Sequence, residues 1–309
     1  MRVRFERAQG VLRDLGRSFP GSDLALWAAG VTFFGLIGIV PATMVSLRLA
    51  AALIGADAVV AGVDVAASGL PQGHGTPTAL HTLAVAAVGM SWLQTAVAVF
   101  PASLYGEGLR RAFRQLTPLA ADRLTGWRGR LGLLPVIAVA PVLVLLVLGA
   151  SPSVAPLYAA GGWALVLGVV IAFHVMFGSL SAALVLVYRF VGPGRPDLRA
   201  VLVAGFGTGA VLSGFLQGFL LFLAIPIEWS LPFAGLPIFG AVTALALWLY
   251  LLHLLVLLGY RLTVVVDGIL RAPHTTNPNG TATRPTSSPP TSAEPGSPKN
   301  AVWASTEEP

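Results

Sequence analysis

Long apolar runs, separated by links that are either rich in arginine or nearly free of it, set the pattern of this chain. An α-helix rises 1.5 Å per residue, so crossing about 30 Å of hydrocarbon takes roughly 20 apolar residues. Six runs reach that length, over residues 24–47, 82–104, 131–150, 163–188, 200–225 and 236–260. None shows the short alternating segments of a membrane barrel. Backbone facing lipid has to satisfy its own hydrogen bonds, so the runs predict helices. The expected fold is all-α, a polytopic membrane bundle of about six transmembrane helices over residues 24–265. An arginine-rich segment, 1–23, precedes it. The run that follows these arginines is too long for a signal-peptide core and is read as the first span.

The basic residues sort between alternate links. Arg2, Arg4, Arg7, Arg13 and Arg17 precede the first run. Arg110, Arg111, Arg114, Arg123, Arg128 and Arg130 lie between the second and third, and Arg189, Arg195 and Arg199 between the fourth and fifth. Arg261, Arg271, Arg284 and Lys299 follow the sixth. Links 48–81, 151–162 and 226–235 hold no Lys or Arg besides Arg48. Short arginine-rich links remain cytoplasmic, so both termini are expected inside. Trp27, Tyr105, Trp127, Tyr188 and Tyr260 then fall near inner ends and Tyr158, Trp163 and Trp229 near outer ones, as interfacial rings do. Trp248 and Tyr250 fall nearer mid-helix and are read as packing against other helices.

Composition agrees. Of 309 residues 55% are hydrophobic and 10% charged, against about 25% charged in a soluble domain. The net charge of +6 would suggest nucleic acid in a soluble protein. Here the cytoplasmic links account for it, and no nucleic-acid partner is expected. The chain has no cysteine, which excludes disulfides and thiolate metal ligands. Residues 272–309 hold eight prolines with many Ser and Thr, too little apolar surface to offset ordering, and predict a disordered cytoplasmic tail. Residues 56–77 are apolar but interrupted by Asp57, Asp64 and several glycines. They predict a short outer helix over 57–67 followed by a Gly/Pro loop.

Polar groups within the bilayer are the default functional candidates because they are costly there. They are Arg48, Gln94, His174, Gln217 and His253. Arg48 reads as snorkelling at the outer interface or as a buried partner of Asp57 or Asp64. His174 and His253, if paired, could relay protons or hold a metal; interhelical hydrogen bonding is the plainer reading of each. Gln94 and Gln217 read as amide bridges between helices. Gly205 and Gly209 lie on one face of the fifth run with Ser213, a small-xxx-small pattern for close helix contact or a cavity wall. Pro41 and Pro101 predict kinks, or freed carbonyls of the kind a transporter uses. No phosphate-binding loop, HExxH or carboxylate cluster is present, so no catalytic, cofactor or metal residues are assigned and no enzyme is expected.

The stretches GRPDLRAVLVAGFGTGAVLSGFLQGFLLF and FGAVTALALWLYLLHLLVLLGYRL resemble the YihY/BrkB family of bacterial inner-membrane proteins. The Pro41 helix and GLRRAF at 108–113 are weaker echoes, and the resemblance spans about residues 10–265. It implies six spans with a cytoplasmic N-terminus in a bacterial plasma membrane. Family members were once labelled ribonuclease BN, now regarded as a misassignment, and some are called virulence or serum-resistance factors. One departure stands out: Arg261 occupies a place where many members carry an acidic residue. The function expected is permease-like, lipid- or solute-handling. The alternative is a non-transporting scaffold binding partners through its basic cytoplasmic face. The lipid bilayer is the expected partner, with self-association into a homo-oligomer left open.

Overall fold

The first helix, α1 (Leu24–Ile54), starts where the Asp23 carboxylate accepts the Leu26 amide at 3.1 Å. It ends at Gly55, whose φ of 95° is accessible to glycine at little cost. From there α2 (Ala56–Ser68), α3 (Thr76–Val88), α4 (Trp92–Gln115) and α5 (Thr125–Ala160) follow. Gly161 and Gly162, both at positive φ, turn the chain into α6 (Gly162–Leu186), which widens into one π turn over Val187–Val191. Next come α7 (Leu198–Leu223), a 3-10 turn (Leu231–Phe233) and α8 (Pro237–Arg271). This computed structural model describes residues 23–69, 76–117, 123–223 and 231–271. The expected tail, 272–309, the loop 70–75 and most of the arginine-rich segment 1–23 lie outside the described residues.

Every element among the described residues is helical, as the apolar runs predict. Five helices are long and apolar enough to cross a membrane: α1, α5, α6 with its π turn, α7 and α8. The second run is the exception. Residues 82–104 do not form one helix, because α3 stops at Val88 and α4 begins at Trp92. Ser91 and Gln94 form a capping box, in which the Ser91 hydroxyl accepts the Gln94 amide and the Gln94 side-chain oxygen accepts the Ser91 amide. That exchange satisfies two orphan donors and starts a new helix inside an apolar stretch. Two helices clearly outrun their apolar runs: α1 continues beyond Leu47 to Ile54, and α8 beyond Tyr260 to Arg271.

Six helices pack in a closed ring, α1–α4–α5–α6–α7–α8 and back to α1, while α2 and α3 pair with each other and lean on α1, with α2 also on α5. One end of the ring carries the described arginines other than Arg48; the other, the far end, carries Arg48 with α2 and α3. Lipid tails are as apolar as Leu, so burial gives little drive for association and close van der Waals fit carries more. Where α4 crosses α5, Gly106 meets Gly129: a methyl on Gly106 would lie 2.7 Å from Leu133 Cβ and against the Gly129 carbonyl. At the arginine-rich end Phe113 stacks on Tyr260 with centroids 4.1 Å apart and meets Tyr188 edge-on. Tyr188 donates to the Val256 carbonyl at 3.0 Å and Tyr260 to the Pro193 carbonyl at 2.8 Å. Trp248 lies against Phe215 and Phe219 of α7.

Candidate functional site

The polar candidates do not converge. His253 of α8 is buried in the arginine-rich half, its Nδ1 3.0 Å from Thr32 Oγ1 of α1 and its Nε2 3.0 Å from Tyr105 Oη of α4. The protons follow from the partners. Thr32 spends its single hydroxyl proton on the Ala28 carbonyl at 2.8 Å, so it accepts from Nδ1–H. Nε2 is then the acceptor for the Tyr105 hydroxyl, and a neutral ring satisfies all three helices. Gly35 makes room for it, since a methyl there would come within 2.9 Å of His253 Cε1.

His174 is exposed on the outside of the bundle, and its Nδ1–H donates to the Val170 carbonyl of its own helix at 2.7 Å. The two histidines therefore do not form a pair, and no group of three His, Asp or Glu able to hold a metal occurs among the described residues. The Arg48 guanidinium donates from Nε to the Met90 carbonyl at 2.7 Å and lies 4.4 Å over the Trp92 ring. Met90 lies in the break between α3 and α4, so Arg48 satisfies a carbonyl left over at a helix end. Asp64, one of its expected partners, instead meets His81 Nδ1 at 2.8 Å. Gln94 is exposed and serves the capping box rather than bridging helices.

Gly205 and Gly209 lie where α7 touches α6. A methyl on Gly205 would lie 2.6 Å from Val185 Cγ2, and one on Gly209 would lie 3.0 Å from Ser181 Cα. Contact loosens along the same pair toward the far end. There Gln217 lines a cavity of about 380 Å³, together with Leu47 of α1, Val63 of α2, Leu80 of α3, Val144 and Tyr158 of α5 and Met176 of α6. Thr43, Ser151, Tyr158 and Gln217 are its polar side chains; the rest are aliphatic or small, and none is charged. The volume lies within the roughly 300–1,000 Å³ of small-molecule sites. With no carboxyl, imidazole or cationic group on its walls, it suits binding of apolar matter.

Two features escape a reading of the apolar runs. Glu107 lies past the second run yet within α4 and is nearly buried, with Arg111 Nη2 at 2.6 Å and Arg130 Nη2 at 2.7 Å. Burial works against its charge, but the two guanidiniums outweigh this and hold the carboxyl below the usual carboxylate range. Arg130 also faces the rings of Phe100 and Trp127, 5.0 and 5.1 Å away. The i,i+4 spacing of Glu107 and Arg111 was a legible signal. Tyr105 and Thr32 carried none, since their link to His253 joins distant parts of the chain. Arg261, the position that departs from the resembled family, donates to the Leu116 carbonyl at the end of α4.

The profile of a family described as "Virulence factor BrkB" matches residues 16–282. No curated protein and no solved structure matches the chain.

Proposed function

The chain belongs to the family of the virulence factor BrkB, and we propose that it is a permease-like protein of the bacterial plasma membrane that handles a lipid-type or other apolar substrate. The observation that carries this reading is the far-end cavity, whose walls come from α1, α2, α3, α5, α6 and α7. A cavity of this size, partly open at the side of the bundle, forfeits contacts between the helices, and an acyl or isoprenoid chain would restore them. Gln217 is the amide among its wall residues and would orient such a chain. The arginine-rich end, read as cytoplasmic by the positive-inside rule, holds the bundle together on the opposite side.

The test is movement. Purified protein in liposomes is expected to speed the passage between leaflets of at least one fluorescent-tailed lipid from a panel of charged and uncharged heads. Ala155→Phe with Ala172→Phe, which narrows the cavity, is expected to abolish the acceleration. If wild type and filled variant move every probe no faster than empty liposomes, and retain the same partner proteins, the scaffold reading replaces this one.

A further inference from the structure

The protein uses only part of the Arg48 guanidinium. The group carries five N–H donors. Nε–H goes to the Met90 carbonyl at 2.7 Å, and the Trp92 ring lies against the flat face, 4.4 Å away. These two contacts fix the plane and heading of the group and leave the four Nη hydrogens over. No acceptor meets them among the described residues. The side chain is half-buried, and its Nη atoms are not sealed inside the bundle.

Its charge is not answered either. The ion pairs among the described residues join Asp64 to His81, Glu107 to Arg111 and Arg130, and Asp267 to Arg271. None includes Arg48. The guanidinium also rests on the first residue of α4, at the positive end of that helix's dipole, which disfavours a cation. An anion at the Nη edge would remove both costs.

Depth decides which anion. From Leu24 to Arg48, α1 climbs about 36 Å at 1.5 Å per residue, more than the roughly 30 Å of a hydrocarbon core. With the start of α1 at one boundary, Arg48 stands at the phosphate level of the opposite, far leaflet. Trp92, exposed beside it, suits the aromatic belt found at that level. Leu93 and Val97, both exposed, continue along one face of α4 from there toward the membrane centre.

We propose that Arg48, oriented by Met90 and Trp92, binds the phosphate of an anionic phospholipid in the far leaflet. The Nη edge takes two phosphate oxygens, a geometry guanidinium matches and a lysine ammonium does not, and the acyl chains lie along Leu93 and Val97. The ligand carries net negative charge, because the ammonium of a zwitterionic head would find the Trp92 face already occupied by Arg48 and no carboxylate paired at that edge. Arg48 is not a wall residue of the cavity, so this site is separate from the one proposed for lipid handling.

Photoreactive lipids with the same chains and a diazirine close to the glycerol test it on the full-length protein in phosphatidylcholine nanodiscs: phosphatidylglycerol, phosphatidylcholine and diacylglycerol. Labelled residues are located by mass spectrometry. Phosphatidylglycerol is expected to label residues 48–54 and 90–97 about tenfold more than diacylglycerol, the difference a charge-assisted pair of hydrogen bonds provides. Arg48→Gln, whose amide can still donate to the Met90 carbonyl, is expected to bring that ratio to about one while labelling at the arginine-rich end stays unchanged. If this variant does not elute as a single species, Arg48→Lys is read for a fall of about two- to threefold. Equal labelling by phosphatidylglycerol and diacylglycerol in the wild type overturns the site, and so does a ratio that survives the substitutions. Phosphatidylcholine labelling these residues as well as phosphatidylglycerol overturns the requirement for net charge. Loss of the labelling in excess inorganic phosphate makes free phosphate the ligand and overturns the lipid. None of these outcomes bears on the cavity, whose reading stands or falls on lipid movement.

Discussion

Tyr105 and His253 should be energetically coupled, and the size of that coupling follows from how their hydrogen bond is placed. Tyr105→Phe leaves ring and packing intact but removes the donor to Nε2. A neutral buried bond contributes about 0.5–1.5 kcal/mol net, and the nitrogen left behind finds no water at that depth. His253→Leu keeps nearly the same volume against Gly35. It strands the Tyr105 hydroxyl and removes the donor to Thr32, whose own proton still goes to Ala28. One stranded hydroxyl and two lost bonds set its cost at about 2–3 kcal/mol. The double variant strands nothing, so it should be less destabilised than the sum. Interhelical bonds in membranes give cycle energies averaging about 0.6 and reaching about 1.7 kcal/mol; this one, buried and bonded at both nitrogens, belongs in the upper half. Equilibrium unfolding of the four proteins in mixed micelles measures it. The same network fixes the tautomer, so ¹⁵N spectra should show a neutral His253 protonated at Nδ1. Additivity within about 0.3 kcal/mol, the usual behaviour of independent sites, or a ring protonated at Nε2, would refute the reasoning.

Four other changes test separate parts of the fold. Gly209→Val places a side chain against Ser181 backbone and should cost about 1–3 kcal/mol of unfolding free energy, whereas Gly214→Ala, with nothing within reach of the new methyl, should be neutral or stabilising. Ser91→Ala removes the cap that starts α4 and should cost about 0.5–2 kcal/mol, seen as faster amide exchange confined to its first turn. Glu107→Gln leaves Arg111 and Arg130 without their carboxylate. Since Arg111 is half-exposed, its penalty stays near the low end of the range for broken buried pairs, about 3 kcal/mol or less. The folded carboxyl titrates below its unfolded value, so this stabilisation is complete above about pH 4.3, fades as pH falls through the folded pKa, and should be missing at every pH in the variant. Reporter fusions should place residues 68–77 and 106–130 in opposite compartments; finding them together would remove the orientation on which "inner" and "outer" rest.

Helix type was legible because length and apolarity together leave one solution in lipid, and the runs at 24–47, 131–150, 163–188 and 200–225 each lie largely within a helix. Helix ends were less so. The continuation of α8 to Arg271 depends on contacts no apolar count registers: Asp267 accepts the Asp197 amide at 2.7 Å and the Arg271 guanidinium at 3.0 Å. The break at residues 89–91 did have a local signature, Ser91-x-x-Gln94, but the apolar residues on both sides masked it, and Gln94 was read as a bridge instead. Gly205 and Gly209 were legible as a close-contact face because their spacing alone sets it. The partners of His253 were not, since sequence spacing says nothing about which two helices will flank a third.

The cavity is the least legible feature, and the reason is physical. It is formed by contacts that fail to occur among six helices, and no residue encodes an absent contact. What the sequence does carry is the gradient along α7. Gly205 and Gly209 bring it against α6 at Val185 and Ser181, and two turns later Gln217 and the open glycines Gly214 and Gly218 leave it unsupported. Two helices pressed together at one end and differing in side-chain bulk at the other must splay, because packed helices tilt as rods rather than bend at each residue. Closing the gap would require moving the α6–α7 contact, which Tyr188, bonded across to Val256 of α8, holds in place. Tightness at the arginine-rich end and space at the far end are thus two consequences of one arrangement.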